Sequence, residues 1–404
     1  MLTLVDLFAG TGGLSEGFST ARSGGKRLFD VRLLVDNDPE AAFNYRYNRP
    51  QANYLIADIS VTEPETILSK AGLGKGDLDV LVGGPPCQGF SVLRHKHVLE
   101  DPRNGLMRRF LKIAIETRPR LFIIENVPSL LTAAKGKFWD EIQSCMVHDY
   151  FVKAEVLNAH DYGVPQWRKR TFIAGLRKDL EVSDFSLPSV QATKKVHAKA
   201  LIPDGEEKDF LPIIKPWIST EEAIGDLPPL QPGEEASFYT REPFTDYQAA
   251  RRKGSNVLSN HVARRHDEKF LQKLAKIEEG GSNQELDGRS RFDRGRDIKY
   301  LSQAYGRLHR EGIAQTITAH FLNPGSGRFL HYRDLRSITV REAARFQSFD
   351  DNFVFYGPTQ SQQRLVGNAV PPLMARALAE YFGKVLQETG SKDFNRLVVQ
   401  AAKM

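Results

Sequence analysis

The first 180 residues alternate short runs of Val, Ile, Leu and Phe with longer mixed segments, and few folds accept that alternation. The apolar runs fall at residues 2–8, 31–35, 53–57, 78–82, 121–124 and 171–176. Each has the length and composition of a strand buried on both faces. Between them lie amphipathic or mixed segments such as 39–47, 63–71 and 108–117, which read as helices. Buried strands alternating with helices predict an α/β fold with a doubly wound, largely parallel sheet.

Beyond about Leu180 the texture changes. Pro188, Pro203, Pro212, Pro216, Pro228, Pro229 and Pro232 punctuate a stretch with little periodicity. A basic segment follows: residues 241–310 hold 16 Lys/Arg against 10 Asp/Glu, a balance of +6 that equals that of the whole chain. Such a segment is either a solvated surface or a surface for a phosphate backbone. Pro371 and Pro372 then open an amphipathic helix through about Gln387, with proline tolerated in its first turn. We expect a first domain from residues 1–185 and 362–404, completed by that returning helix, and a smaller, irregular second domain at 186–361. At 404 residues, two domains are the natural prior.

Several classes are excluded. No apolar run approaches the roughly 20 residues of a membrane span, so no membrane partner is expected. No basic region precedes the first apolar run, so no signal peptide is expected. Cys87 and Cys145 are the only cysteines and make no disulfide framework, which suits a reducing cytoplasm. CxxC and HExxH are absent, so no metal site is expected.

One cysteine stands out. Gly83-Gly84-Pro85-Pro86-Cys87-Gln88-Gly89-Phe90-Ser91 follows an apolar run directly, so Cys87 sits on a stiff turn where a strand ends. Loops past strand C-termini line the ligand crevice of a parallel sheet. A thiol there either attacks a substrate or packs as a small hydrophobe. Asp6-Leu7-Phe8-Ala9-Gly10-Thr11-Gly12-Gly13 ends the first run and enters a helix, but Ser15 stands where the dinucleotide fingerprint needs its last glycine. Asp36 and Asp58 end or follow the next two runs, placed for ribose hydroxyls and an adenine amino group, or as helix caps. Together they suggest a nucleoside cofactor without a pyrophosphate. Glu125-Asn126-Val127 follows the fifth run, where a carboxyl can donate a proton or cap a helix. Gln166-Trp167-Arg168-Lys169-Arg170 precedes the sixth run. If extended, Arg168 and Arg170 point the same way, suited to a carbonyl oxygen, a carboxylate or a phosphate, or simply to solvent.

These motifs, with Arg341-Glu342-Ala343-Ala344-Arg345-Phe346-Gln347-Ser348-Phe349 and Gly367-Asn368-Ala369-Val370-Pro371-Pro372, occur in one order over residues 4–180 and 336–380. In that order the chain resembles the DNA cytosine-C5 methyltransferases of bacterial restriction–modification systems. The resemblance implies a Rossmann-like, S-adenosylmethionine-dependent methyltransferase domain with a second, target-recognition domain. It implies methyl transfer to C5 of a cytosine flipped out of double-stranded DNA, with S-adenosylhomocysteine as product. Cys87 would be the nucleophile, Glu125 the group at N3, and Arg170 and Arg168 the holders of the O2 side. Cofactor contacts would fall to Phe8, Gly10, Gly12, Gly13, Asp36, Asp58, Pro86, Leu106, Asn368 and Val370. DNA contacts would fall to Gln88, Ser91, Arg264, Arg289, Arg291 and Arg328, with Asn260-His261 and Gly325 to Gly327 as DNA-facing framework. A restriction endonuclease sharing the target is the functional partner, without a stable complex, and the nucleoid is the expected place of work. Asn37 departs from the large apolar residue that several members carry there, and Asp350-Asp351 from the commoner Pro-Asp. A tRNA-cytosine methyltransferase is opposed by the long basic insert and by Gly89-Phe90-Ser91. An inactive DNA-binding regulator is opposed by the presence of Cys87, Glu125 and Arg170 together.

Overall fold

The computed structural model describes residues 1–86, 104–180, 182, 185–188, 217–282 and 304–389. They divide into two compact units, one from Met1–Tyr162, Lys169–Pro203 and Val370–Met404, the other from Gly163–Arg168 and Asp204–Ala369.

The first unit is built on a seven-stranded sheet. Its strands are β1 (Leu2–Leu7), β2 (Phe29–Asp36), β3 (Tyr54–Ile56), β4 (Val80–Gly83), β5 (Leu121–Asn126), β6 (Tyr150–Asn158) and β7 (Lys169–Arg177). Their spatial order is β3-β2-β1-β4-β5-β7-β6. The first five run parallel, and β7 lies antiparallel between β5 and β6. All six apolar runs form strands. The added strand β6 carries Lys153 and Glu155 and lies at the sheet edge, so its sequence lacks the continuous apolar signal of a two-sided strand.

Alternation along the strands feeds two layers of helix. Val5, Leu7, Leu33, Val35, Leu81, Phe122 and Ile124 share one core with α3 (Pro64–Ala71), α4 (Asn104–Thr117) and α5 (Lys137–Met146). On the other side α1 (Gly13–Thr20) packs against the closing helix α11 (Pro372–Glu388), with Phe18 edge-on to Phe29 at 4.9 Å. The helix α2 (Pro39–Asn48) links β2 to β3, and Asp38 caps its first turn. The closing helix belongs to the first unit.

The second unit holds α6 (Thr220–Ile224), α7 (Asp246–Arg252), α8 (Glu268–Leu274), α9 (Val340–Phe346) and α10 (Thr359–Asn368). Gln166–Trp167 leaves the first unit to pair in parallel with Ala314–Gln315. Charge is buried around α9: Arg345 reaches Asp226 and Asp351, both at 2.6 Å, and Arg336 holds both carboxylate oxygens of Glu342. Each of these side chains is at most 1% exposed.

The α1–α11 contact depends on a missing side chain. A Cβ at Gly17 would meet the Ala375 methyl and, at 2.6 Å, the Pro372 carbonyl oxygen. Gly17→Leu therefore overpacks this layer and is expected to cost about 1–3 kcal/mol. Urea unfolding should show a lowered midpoint with an unchanged slope; an unchanged midpoint would mean that the two helices are not in this contact.

Candidate active site

Parallel pairing gathers the strand ends. Leu7 lies beside Val35 and Gly83, Asp36 beside Ile56, and Gly83 beside Ile124. The carboxyl edge thus carries, in order, the segment with Asp58 after β3, Asp36, the glycine loop after β1, Pro85-Pro86 after β4, and Glu125. Because β7 is antiparallel, its first residues, including Arg170, reach the same edge.

The glycine loop is held in an unusual shape. Phe8, Gly10 and Gly12 all have positive φ, at 55°, 54° and 78°. For Phe8 this is a strained conformation of the kind found at ligand clamps. A Cβ at Gly12 would enter the Tyr45 ring, and one at Gly13 would meet the Val370 backbone. One at Gly10 would meet nothing within 4 Å. The loop is therefore packed behind Gly12 and Gly13 and open at Gly10. Asp36 Oδ2 accepts the Gly10 N–H at 2.9 Å and its Oδ1 the Asp38 N–H at 2.9 Å. Burial raises the Asp36 pKa against those two hydrogen bonds.

Two buried polar atoms lack a partner among the described residues, Thr11 Oγ1 in the loop and Asp6 Oδ1 at the end of β1. With the open space at Gly10, they fit a polar ligand whose groups would satisfy them. Asp58 is exposed, with Oδ1 accepting the Ser60 N–H at 2.9 Å. Bonds from the Ser60 side chain and backbone hold its pKa below the ordinary value.

Glu125 faces the start of the cysteine loop. Its Oε1 pairs with Arg170 Nε at 2.9 Å, and both side chains are mostly buried. A Cβ at Gly84 would stand 3.4 Å from Glu125 Oε2, so the glycine leaves the carboxylate room. Asn126 Nδ2 donates to the Pro85 carbonyl at 3.0 Å while its Oδ1 accepts the Val127 N–H, which ties the loop's first residues to β5. Cys87, Gln88 and Ser91 lie outside the described residues, as do Arg289 and Arg291.

Other expected residues sit differently. Arg168 and Arg170 do not form one guanidinium face. Arg168 is 1% exposed within the second unit and donates to the carbonyls of Ile317, Gly367 and Ala369. Arg168 thus holds the Gly367–Ala369 segment at the end of α10 against Ile317. Arg328 is also turned inward: its NH1 donates to Gly280, Gly281 and Arg307 carbonyls, which stitches loops together. Arg264 is exposed and spends one N–H on Leu322. Asn260-His261 is internal framework, with His261 1% exposed between Thr339 and Pro228. Gly327 is extended, and a Cβ there would meet the Phe329 ring. Pro86 and Asn368 are exposed, Leu106 is half-buried and Val370 is buried.

The profile of the family described as C-5 cytosine-specific DNA methylase matches residues 2–384. The chain belongs to this family. As a C-5 cytosine-specific DNA methylase it is an enzyme of DNA methylation. It is 33% identical to type II methyltransferase M.DdeI of Desulfomicrobium norvegicum, over 94% of this chain and 88% of the relative. It is 33% identical to type II methyltransferase M1.HphI of Haemophilus parahaemolyticus, over 94% and 86%. Its fold matches a prophage-encoded E. coli chain described as a DNA modification methyltransferase, at TM-score 0.70 and 24% identity, covering 96% of this chain and all of that one. The methyltransferase EhMeth of Entamoeba histolytica matches at TM-score 0.58 and 15% identity, over 96% and 99%.

Sequence reasoning gave no role to Asp6, Thr11, Tyr54, Asn126 or Gln347. Asp6, Thr11, Asn126 and Gln347 stood inside quoted motifs, where each could be assigned only once its partners were known. Gln347 links Gln166 to the carbonyls of Val366 and Ala369, and so shares the work of Arg168.

Asp6 makes a pH signature. Burial pushes its carboxyl up to about 7, against the lowering bond from Ser15, with the Asp36 charge adding to the rise. The folded chain then holds more protons than the unfolded chain between about pH 4 and 7, so this residue's contribution to stability falls as pH rises through that window. Asp6→Asn should gain stability relative to the parent chain from pH 4 to pH 8, by a few kcal/mol. Denaturant titrations at several pH values read this directly; a constant difference would show that Asp6 is not desolvated. Arg168→Met should lower the unfolding free energy by at least about 2 kcal/mol by stripping donors from buried carbonyls. Unchanged stability would place the guanidinium in solvent.

Proposed function

We propose that the enzyme methylates C5 of a flipped-out cytosine within a specific double-stranded DNA sequence, using S-adenosylmethionine as donor and Cys87 as nucleophile. The observation that carries the reading is Glu125, braced by Arg170 and standing beside Gly84, which begins the Gly84-Pro85-Pro86-Cys87 segment. Support on the cofactor side comes from the same strand edge, where Asp36 stands behind an open glycine loop with unsatisfied polar atoms.

Cytosine C5 is a poor nucleophile in its aromatic ring. Addition of the Cys87 thiolate to C6 forms an S–C bond and moves the ring π electrons toward C5 and N3. Glu125 hydrogen-bonds or protonates N3 as charge develops there. S-adenosylmethionine, when bound, supplies the electrophilic methyl group that C5 takes up, leaving S-adenosylhomocysteine. Loss of the C5 proton to a base then expels the thiolate and restores the ring. Arg170 keeps Glu125 aimed and reaches the O2 side of the base.

Asp36 is the ribose ligand, Asp58 the adenine amino ligand, Phe8 the adenine face, and Gly10, Gly12 and Gly13 the close backbone. Pro86, Leu106, Asn368 and Val370 complete the contacts. The first unit answers to the catalytic domain expected at residues 1–185 and 362–404, with residues 163–168 and 362–369 falling to the second unit. The second, answering to the domain expected at 186–361, reads the DNA target with Arg264, Arg289 and Arg291 as contacts, while Gln88 and Ser91 contact the DNA from the catalytic domain. Arg328 and Arg168 support these surfaces from inside. Type II methyltransferases among its relatives favour host protection against an endonuclease of the same target, in the cytoplasm on DNA.

Expression in a host without cytosine methylation, followed by bisulfite sequencing of plasmid DNA, tests the reading. Cytosines protected in one short recurring context are expected. Cys87→Ser should remove that protection, by a factor of at least about a thousand in rate, with cofactor binding retained. Protection that survives Cys87→Ser would remove the thiol from the mechanism. Methylated tRNA with unmodified plasmid would move the substrate to RNA.

A further inference from the structure

The glycine loop is shaped from outside its own motif. Tyr54 on β3 is 2% exposed, and its hydroxyl donates to the Gly10 carbonyl at 2.7 Å. Asp36 takes the N–H of the same residue at 2.9 Å. Gly10 is thus gripped at both ends of its backbone, in a left-handed conformation, with open space where its side chain would be. Tyr45 completes the floor: its ring fills the place of a Gly12 side chain and lies 6.2 Å from the Tyr54 ring, centroid to centroid.

We propose that Tyr54 is a positioning residue for the cofactor, setting the Gly10 peptide in the orientation that receives S-adenosylmethionine. The inference rests on the cofactor reading above. A left-handed glycine has several accessible conformations, and a bond at only one end leaves the peptide free to rotate about the other. Two bonds from two different strands remove that freedom before any ligand arrives, so binding need not order the loop. Burial, with the Asp36 charge adding, raises the Tyr54 phenol pKa far above its ordinary value, so the hydroxyl remains a donor throughout the working pH range. Phenylalanine at this position keeps the ring and its packing and deletes only the donor.

Calorimetric titration with S-adenosylhomocysteine compares the full-length parent chain, Tyr54→Phe and Tyr162→Phe. Tyr162 is the control: it is buried in the same unit, and its hydroxyl donates to the Pro188 carbonyl at 2.7 Å rather than to the glycine loop. Tyr54→Phe is expected to weaken binding about tenfold and to raise the KM for S-adenosylmethionine in step, with kcat at saturating cofactor and the KM for DNA within about twofold of the parent. Tyr162→Phe is expected to bind as the parent does. Equal affinity in Tyr54→Phe and parent overturns the proposal, as does equal weakening in both variants, which would be general loosening. A parent chain that binds neither S-adenosylmethionine nor its product overturns the cofactor reading itself, a different result from either.

Discussion

Because five strands of the first unit run the same way, the glycine loop, Asp36, the Gly84-Pro85 turn and Glu125 lie at one edge of one sheet. The interior of β1 is buried without interruption, and Asp6 within it is fully buried too. The strand can therefore neither shift nor rotate without placing a carboxyl in an apolar layer or Val5 and Leu7 in another. Its register against β2 and β4 fixes where the glycine loop begins, where Asp36 stands, and where the Gly84-Pro85 turn departs. The antiparallel β7 adds the one thing a purely parallel sheet would lack, a strand start at the carboxyl edge, and that start carries Arg170 to Glu125.

The second unit spends its charge differently. Arg336, Arg341 and Arg345 are fully buried, against Glu342, Asp226 and Asp351. Burying such pairs costs much of what their attraction returns, yet removing one partner is severe. The carboxylates of Glu342 and Asp351 are desolvated, but the neighbouring arginines prevail and hold their pKa values low. The Arg341–Phe349 motif is thus framework around α9, with the Thr339–Glu342 capping box fixing the helix start. In the same way Gln166, Arg168 and Gln347 hold the turn that precedes the closing helix.

Much of this was legible in the sequence. Two-sided strands need unbroken apolar runs, so all six runs formed strands, and a two-proline start marked α11. That Glu125 ends an apolar strand was legible, but whether it donates a proton or caps a helix was not, because its partner Arg170 lies 45 residues on. The partners of arginines were not readable. Arg168, Arg170, Arg264 and Arg328 look alike in one dimension, yet Arg170 meets a carboxylate and Arg168 and Arg328 meet carbonyls brought from 21 to 201 residues away. Tyr54 escaped notice because a strand tyrosine is ordinarily core; only its hydroxyl's partner, 44 residues earlier, gives it a task.

The central proposal is that the residues at this sheet edge serve a methyl donor and that the Cys87 thiol activates the base. Target DNA carrying 5-fluorocytosine tests it, since fluorine at C5 blocks the final elimination and leaves the sulfur–C6 bond intact. The account predicts a denaturation-resistant protein–DNA adduct that forms only with S-adenosylmethionine and maps to the peptide containing Cys87. An adduct mapped to Cys145, or methylated fluorocytosine released without any adduct, would contradict it.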